Sequence, residues 1–315
     1  MNAAILAAGL GTRLRPLTSA TPKALVPVLN RPLLGVLLAQ LEEAGALRVA
    51  VNTHHLADQV HHFLAIASPP RLEVLVRPEP DILGTGGGLR SLAEALGNEP
   101  FLAINADILT DLDLGEIYRQ HREQALATLV LHDYAGLNNV WLDKAGRVAG
   151  IGAPPPHTSG PALAYTGVQV VSHQMLEWLP KKGPADLVAV WQQALGRGEY
   201  LAAVVVKGHF WQDLGTPEAY LQAHLRLLTG TCLGLNRFFP PISDPFCGAG
   251  TVMEAGVNCG GGVCLGREVW VGRGTRLKNT VVWDRARLGP GLTLENCVVG
   301  QGATVQVSVR NAVLV

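Results

Sequence analysis

"LAAGLGTRLRPLTSATPK", residues 6–23, decides the reading of this chain. The stretch grows out of a short apolar run, "AAILAA" (3–8), and sets Gly9 and Gly11 ahead of Arg13 and Lys23. Glycines at the end of a strand let backbone approach a ligand closely, accept unusual φ and present N–H groups to an anion. Arginine adds a planar fork and lysine a point charge, a combination suited to a polyphosphate. The familiar phosphate loops do not fit: GxGxxG would need a glycine where Leu14 stands, and GxxxxGK[ST] is absent. Arg15 reads as an ordinary surface cation of the turn.

Outward from this loop, short apolar runs alternate with helical spacing over the first 230 residues. "RVAVNT" (48–53), "LEVLVR" (72–77), "FLAINA" (101–106) and "ATLVLHD" (127–133) read as buried strands, nearly continuous in Val, Ile, Leu and Ala. Helices are expected near 33–44, 56–66, 87–96 and 114–124. The pattern is βαβ, which gives an α/β fold with a Rossmann-like, mostly parallel sheet. Such sheets place ligands beyond the carboxyl ends of their strands, where the opening loop must lie.

After residue 230 the texture turns to Gly and Val with almost no helical signal. "VGRGTRL" (271–277) aligns with "LGPGLTL" (288–294), and "LKNTVVWDRARL" (277–288) with "LENCVVGQGATV" (294–305), both at an offset of 17 residues. Aliphatic positions recur every six, at Val257, Val263 and Val269 and again at Val282, Leu288 and Leu294. This is the signature of a short left-handed parallel β-helix of roughly four triangular coils. The expected division is therefore a catalytic domain over 1–230 and a hexapeptide-repeat β-helix over 231–315. Residues 231–315 contain no histidine, so an acyl-transferring β-helix lacks its usual base and a structural role, through homo-oligomer contacts, is expected.

Composition narrows the class further. The chain has 315 residues, 48% of them hydrophobic, enough for a large core. Lys plus Arg equals Asp plus Glu at 25 each, so no net field draws it to nucleic acid or an anionic membrane. No apolar run reaches the roughly 18 residues of a membrane span, and no signal-peptide pattern opens the chain, so a cytoplasmic protein is expected. The five cysteines (Cys232, Cys247, Cys259, Cys264, Cys297) form no CxxC pair and read as reduced core thiols.

The opening loop, with its glycines, Thr12, Arg13 and the Pro22-Lys23 pair, resembles the signature of the sugar-1-phosphate nucleotidylyltransferases. That resemblance implies the nucleotide-diphospho-sugar transferase fold and a loop, Leu6, Ala8, Gly9, Gly11 and Thr12 included, that wraps a nucleoside triphosphate. Arg13 would hold its outer phosphates and Lys23 would neutralise charge at the reacting phosphoryl group. "EPDILGTGGGLRSL" (79–92) is similar to the family's second glycine loop, which puts Gly84, Thr85 and Gly86 against the nucleobase; Thr85 also reads as a helix cap. Asp107 in "FLAINADIL" and Asp213 in "FWQDLGTPEAY" match the family's two metal aspartates and imply Mg²⁺. Asp113 instead reads as the start of a capping box, and Thr216 with Pro217 as an N-cap and first helical residue.

One departure stands out. Many relatives carry a Glu-Lys-Pro stretch whose lysine holds the sugar phosphate, and residues 147–171 here contain no lysine. Branches resembling N-acetylmuramate-1-phosphate uridylyltransferases share that departure and the "TGGG" loop. Asn138, Asn139 and Gly167 are then the candidate sugar contacts. The histidines of "HHLADQVHH" (54–62) read as a helix surface rather than a metal site. The implied activity joins a nucleoside triphosphate to a sugar 1-phosphate, with mannose-1-phosphate guanylyl transfer ahead of uridylyl transfer to an amino-sugar 1-phosphate, and a non-catalytic nucleotide-sugar-binding homologue as the remaining rival.

Overall fold

The computed structural model describes residues 1–155 and 160–315. Contacts group them into two compact units: Met1–Gly9, Leu37–Ile108 and Leu112–Trp211 form the first, and Leu10–Val36, Leu109–Asp111 and Gln212–Val315 the second. This grouping does not follow the division expected at residue 230. The glycine-loop segment and the helix before residue 230 associate instead with the repeats beyond it.

The first unit is built on a nine-stranded sheet. Asn2–Leu6 lies at its centre, parallel to Phe101–Asn105 on one side and Arg48–Thr53 on the other, with Glu73–Pro78 parallel beyond. Ala4 faces Ala50 and Ala103 across these pairings, and all three are buried, as are Ile5, Val51 and Ile104. Strands covered on both faces need apolar side chains at successive positions, which is why these runs do not alternate. Helix Gly84–Leu96 packs on this parallel centre through Leu89, Leu92, Ala93 and Leu96.

Ala162–Val171 then enters against the direction of its neighbours, antiparallel to Phe101–Asn105 and Ala127–His132. Val140–Leu142 and Val148–Ile151 extend the sheet beside it, and Leu201–Val205 runs parallel to Ala127–His132. Sequence reading does not anticipate the strands over 140–171. The longest of them is interrupted by Gly167 at φ 82°, where the register to Ala127–His132 shifts between Tyr165 and Gln169. Within the stretch that lacks the lysine, residues 156–159 lie outside the described residues.

In the second unit the repeats form two parallel ladders. One runs through Phe246–Cys247, Asn258–Leu265, Arg276–Val282, Thr293–Val299 and Val309–Arg310, the other through Val252–Met253, Trp270–Val271, Arg287–Leu288 and Thr304–Val305. The offset of 17 residues is the register itself: Val271 pairs with Leu288, Leu277 with Leu294 and Val282 with Val299. This is the pairing of a parallel β-helix, and Val263, Val269, Val282, Leu288 and Leu294 fill its core. Asn279, Asn296 and Asn311 stack at one corner, each at φ near 50° and linked side chain to side chain at 3.0 and 2.9 Å. Asparagine tolerates the left-handed region, and the stack satisfies its amides. Cys232, Cys264 and Cys297 are buried thiols as expected, whereas Cys247 is exposed and Cys259 half-buried.

Helix Pro217–Leu228 joins these coils to the glycine-loop segment. Thr216 caps it, accepting from Ala219 N at 3.2 Å, with Pro217 in the first turn. Its Tyr220 and His224 are fully buried. The Tyr220 hydroxyl donates to the Pro27 carbonyl and accepts from Trp283 Nε1 at 2.9 Å. His224 Nδ1 donates to Tyr220 O at 3.0 Å, and its Nε2 accepts from Leu29 N at 3.3 Å. Burial holds the imidazole pKa down at about 4, against hydrogen bonds that raise it.

His224 is therefore neutral in the folded chain at a pH where the unfolded chain, near 6.5, already takes up a proton. Its contribution to stability is complete above about pH 6.5, falls as pH drops from there to about 4, and falls no further below. Unfolding midpoints in urea between pH 7 and pH 4 should show this decline in the wild type. His224→Gln should start lower at pH 7 and lose less across the same window; parallel curves for the two proteins would show that His224 does not titrate on unfolding.

Candidate active site

The cationic loop is built within the second unit. Gly11, at φ 61°, opens the turn Thr12–Leu14, and its carbonyl accepts from Leu14 N at 3.0 Å and from Thr18 Oγ1 at 2.7 Å. A Cβ there would stand 3.0 Å from Thr18 Cγ2 and 3.1 Å from Lys23 Cβ, so the position requires glycine for both conformation and space. Leu14 is buried and fixes the turn, leaving the side chain of Arg13 62% exposed. Lys23 begins the short turn Lys23–Leu25 after an extended Pro22, and its side chain is only 14% exposed.

Asp213, the last residue of strand Trp211–Asp213, receives both cations. Arg13 Nη2 lies 3.5 Å from Asp213 Oδ2, and Lys23 Nζ lies 3.9 Å from Asp213 Oδ1. A Cβ on Gly215 would fall 2.7 Å from both Arg13 Nη2 and Asp213 Oδ1, so the glycine keeps this arrangement open. Residues 13, 23 and 213, distant in sequence, are thus brought together. Thr12 sits in the same turn as Arg13.

The remaining candidates belong to the first unit. Leu6 and Ala8 flank Ala7, whose N–H donates to Asn52 Oδ1 at 2.6 Å, and Leu6 O accepts from Ala106 N at 3.0 Å. Asn52 Nδ2 donates to Glu79 Oε1 at 2.7 Å, while Glu79 Oε2 accepts from Leu83 N at 3.2 Å. Asn52 and Glu79 are buried, and they brace the first glycine loop against the second. A Cβ on Gly88 would reach within 2.7 Å of Asn52 Nδ2 and 3.0 Å of Glu79 Oε1, so this glycine makes room for the brace. Sequence reading missed both residues. Their signal is polar side chains placed at the carboxyl ends of the strands Arg48–Thr53 and Glu73–Pro78.

In the second glycine loop, Gly84 and Thr85 are exposed and Gly86 is buried. Gly86 N donates to Ala185 O at 2.8 Å, and Thr85 Oγ1 accepts from Leu187 N at 3.2 Å rather than capping its own helix. Gly84 has φ 67°, and a Cβ there would stand 2.7 Å from Ala185 O. All three residues thus meet the segment around 185, and the exposed edge is that of Gly84 and Thr85. Gly9 has open space where a Cβ would stand.

Asp107 lies half-buried in the turn after Phe101–Asn105. Gly167 backs that turn: a Cβ on it would be 2.8 Å from Ile108 Cγ1 and 3.2 Å from Asn105 Nδ2. Asn138 is occupied within its own loop, accepting from Tyr134 N at 3.0 Å and donating to Asp133 Oδ1 at 2.7 Å, while Asn139 is exposed. Beside that loop is an aromatic group that sequence reading did not find. His132 stacks on Tyr134, meets Trp211 edge-on at 4.8 Å between ring centroids, and lies 3.1 Å from His209 through Nδ1 and Nε2. Burial and the second imidazole hold His132 down at about 4, so one of the two nitrogens donates and the other accepts.

Among the described residues no cluster of three or more His, Cys, Asp or Glu side chains gathers to hold a metal. In the 54–62 stretch, His54 Nδ1 contacts Glu79 O at 2.8 Å and His61 Nε2 contacts Thr53 Oγ1 at 3.0 Å, which are structural bonds. Asp113 accepts from Glu116 N at 2.8 Å and is a helix cap. No helix of the described residues is long and apolar enough to cross a membrane.

Known proteins give this geometry its context. Mannose-1-phosphate guanylyltransferase of Mycobacterium tuberculosis is 28% identical, covering 94% of this chain and 83% of that protein. N-acetylmuramate alpha-1-phosphate uridylyltransferase of Neisseria meningitidis serogroup B is 32% identical, over 69% of this chain and 94% of the relative. The solved structure of HddC from Yersinia pseudotuberculosis, complexed with GMP-PN, superposes with a TM-score of 0.59 at 23% identity, over 70% of this chain and 97% of that one, and shares the fold. Residues 2–230 match the family model described as Nucleotidyl transferase, ending where the repeats begin, and with most of its length matched the chain belongs to that enzyme family.

Proposed function

We propose that this enzyme transfers a nucleotidyl group from a nucleoside triphosphate to a sugar 1-phosphate, releasing pyrophosphate, with GTP and mannose 1-phosphate as the favoured pair. The observation that carries the reading is the convergence of Arg13 and Lys23 on Asp213 behind a glycine turn. Two cations and one carboxylate form an anion site with a built-in counter-charge. The guanylyl preference is supported by the Mycobacterium tuberculosis relative, whose likeness covers 94% of this chain and so includes most of the repeats. The more identical Neisseria meningitidis relative supports a second reading, uridylyl transfer to an amino-sugar 1-phosphate.

In this mechanism a phosphate oxygen of the sugar 1-phosphate attacks the α-phosphorus in line, opposite the leaving pyrophosphate. A phosphate oxygen is already ionised at neutral pH, so no general base is needed, and catalysis rests on positioning and charge. Lys23, the more enclosed cation, holds the charge of the transferring group, and Arg13, exposed and longer in reach, holds the outer phosphates. Gly9, Gly11 and Thr12 line the triphosphate, and the exposed edge at Gly84 and Thr85 takes the base, with Gly86 shaping the loop. Asn139 and Gly167 face the sugar, while Asn138 holds the shape of the loop that carries Asn139.

Asp107 and Asp213 would hold Mg²⁺. Carboxylates that combine with phosphate oxygens and water suit this ion better than a closed protein cage does. When bound, Mg²⁺ neutralises triphosphate charge. The protein is proposed to work in the cytoplasm, as a homo-oligomer assembled through the repeats.

A panel of four nucleoside triphosphates against mannose, glucose and amino-sugar 1-phosphates, read by pyrophosphate release, tests the reading directly. The highest kcat/KM is expected for GTP with mannose 1-phosphate, and release with no pair would refute the proposal. Lys23→Ala should lower turnover by on the order of 10² to 10³, the usual loss when one transition-state charge donor is removed. Asp107→Ala and Asp213→Ala should each raise the Mg²⁺ requirement, and the double variant should lose little more than either alone, because ligands of one ion act as a unit. Losses that multiply would mean separate roles.

A further inference from the structure

A cleft of about 640 Å³, with none of Arg13, Lys23 and Asp213 in its wall, opens in the second unit between the hairpin Pro27–Val28 and Arg31–Pro32, the turn Leu233–Phe238 and the first two coils of the repeats. Arg31, Arg237 and Arg267 line it, and no Asp or Glu does. In a chain whose charges balance overall, three guanidinium groups thus share one wall, and Arg237 Nη1 donates to the Gly234 carbonyl. Phe238, Phe246 and the Pro240-Pro241 pair supply the apolar part of the wall.

Arg31 is the informative member. Its Nη1 donates to Phe238 O at 2.6 Å and its Nη2 to Gly35 O at 3.1 Å, so both partners are neutral carbonyls. Carbonyls satisfy N–H groups but leave the charge uncompensated, and partial burial makes that charge costly. Burial lowers the pKa of this guanidinium. Arg237 lies over the Phe238 ring at 4.6 Å, which fixes its plane beside the same wall, and Arg267 is exposed on the second coil, which stacks on Phe246–Cys247. Planar forks around a volume of this size, with aromatic and proline surface adjoining, match a phosphorylated small molecule.

We propose that this cleft is a second ligand site that binds a phosphate-bearing small molecule, of nucleoside monophosphate size, separate from the catalytic site. Its wall continues into the reactive loop, since Lys23 precedes the hairpin by a few residues and Leu29 of the cleft is the residue held by His224. An occupant that orders the hairpin therefore adjusts the segment that positions Lys23. This assignment stands whether or not the proposed substrates are correct.

The cleft carries its own reporter. Cys247 lines it and is exposed, whereas Cys232, Cys264 and Cys297 are buried. The rate of Cys247 modification by a thiol reagent, followed by peptide mass spectrometry on the full chain, is measured with inorganic phosphate and with UMP, each titrated without metal. UMP is expected to slow modification at least five-fold at saturation, with inorganic phosphate acting at higher concentration; protection by phosphate alone would reduce the ligand to a free anion and overturn the proposed size. Arg237→Ala/Arg267→Ala should abolish protection at an unchanged thermal midpoint, whereas Lys23→Ala should keep it. If the double variant misfolds, Arg267→Ala alone, on an exposed side chain, should weaken protection at least three-fold. Protection lost with Lys23→Ala, or kept in the double variant, would refute the site. Modification that ignores both probes but slows as protein concentration rises would assign the cleft to a second copy of the chain instead.

Discussion

The arrangement hinges on how a loop with little regular structure is held rigid enough to carry Arg13 and Lys23. Residues 10–36 contain three short turns and a two-residue hairpin, and such a segment has few backbone bonds of its own. Its far end is strained, with Leu29 at φ 42° and Asn30 at φ 63°. Asparagine accepts that region readily, but for leucine it costs on the order of 1–2 kcal/mol. His224 meets the Leu29 N–H, Tyr220 the Pro27 carbonyl, and Asn30 Nδ2 the Leu265 carbonyl at 2.7 Å. A buried helix face and the first coils thus over-determine the hairpin. The repeats support the loop that carries Arg13 and Lys23, a closer involvement than their lack of histidine suggests.

The sequence made the parallel centre of the sheet and the repeats readable for a common reason. The centre of the sheet buries nearly every side chain of its short runs, and the repeats bury an aliphatic side chain at a fixed interval, so composition reports the first and period the second. The strand Ala162–Val171 lacks that clarity, because a bulge at Gly167 breaks its period and its pairing is antiparallel. The grouping of 10–36 with the repeats was not legible either. It depends on Tyr220, His224, Trp283 and Asn30, which meet only after folding and show no spacing relation in the chain. Among the site residues, Arg13, Lys23 and Asp213 stood out by type and by resemblance. Asn52 and Glu79 did not, since a polar residue at a strand end is common and only its burial marks it.

The second glycine loop shows why type alone misleads. Glycine lowers helix stability by about 1 kcal/mol against alanine, yet helix Gly84–Leu96 begins with four of them in five positions. Three of the four are buried where another group presses close: Ala185 on Gly86, the Gly183 carbonyl on Gly87, and the Asn52–Glu79 pair on Gly88. The cost is met by close packing and by the brace, in which a buried carboxylate finds two donors instead of water. A motif that reads as ligand contact is thus, for much of its length, a means of bringing a helix near two loops.

The pairing of Arg13 and Lys23 with Asp213 bears on catalysis through differential binding. At 3.5 and 3.9 Å these are loose ion pairs, and the exposed one with Arg13 contributes little in water. Loose pairs are easily traded for phosphate oxygens, so on the proposed reading the cations lose little when they turn from Asp213 to a triphosphate. On that reading Asp213, freed of the two cations, would be one of the residues able to hold a metal ion that neutralises triphosphate charge. Lys23, with most of its side chain covered, gains more from that exchange than Arg13, because the same charge acts through a less polar surrounding. Binding alone would be served by either cation. On the proposed reading, a gain concentrated on the enclosed one, beside the phosphoryl group that is transferred, is what would favour the transition state over the bound substrate.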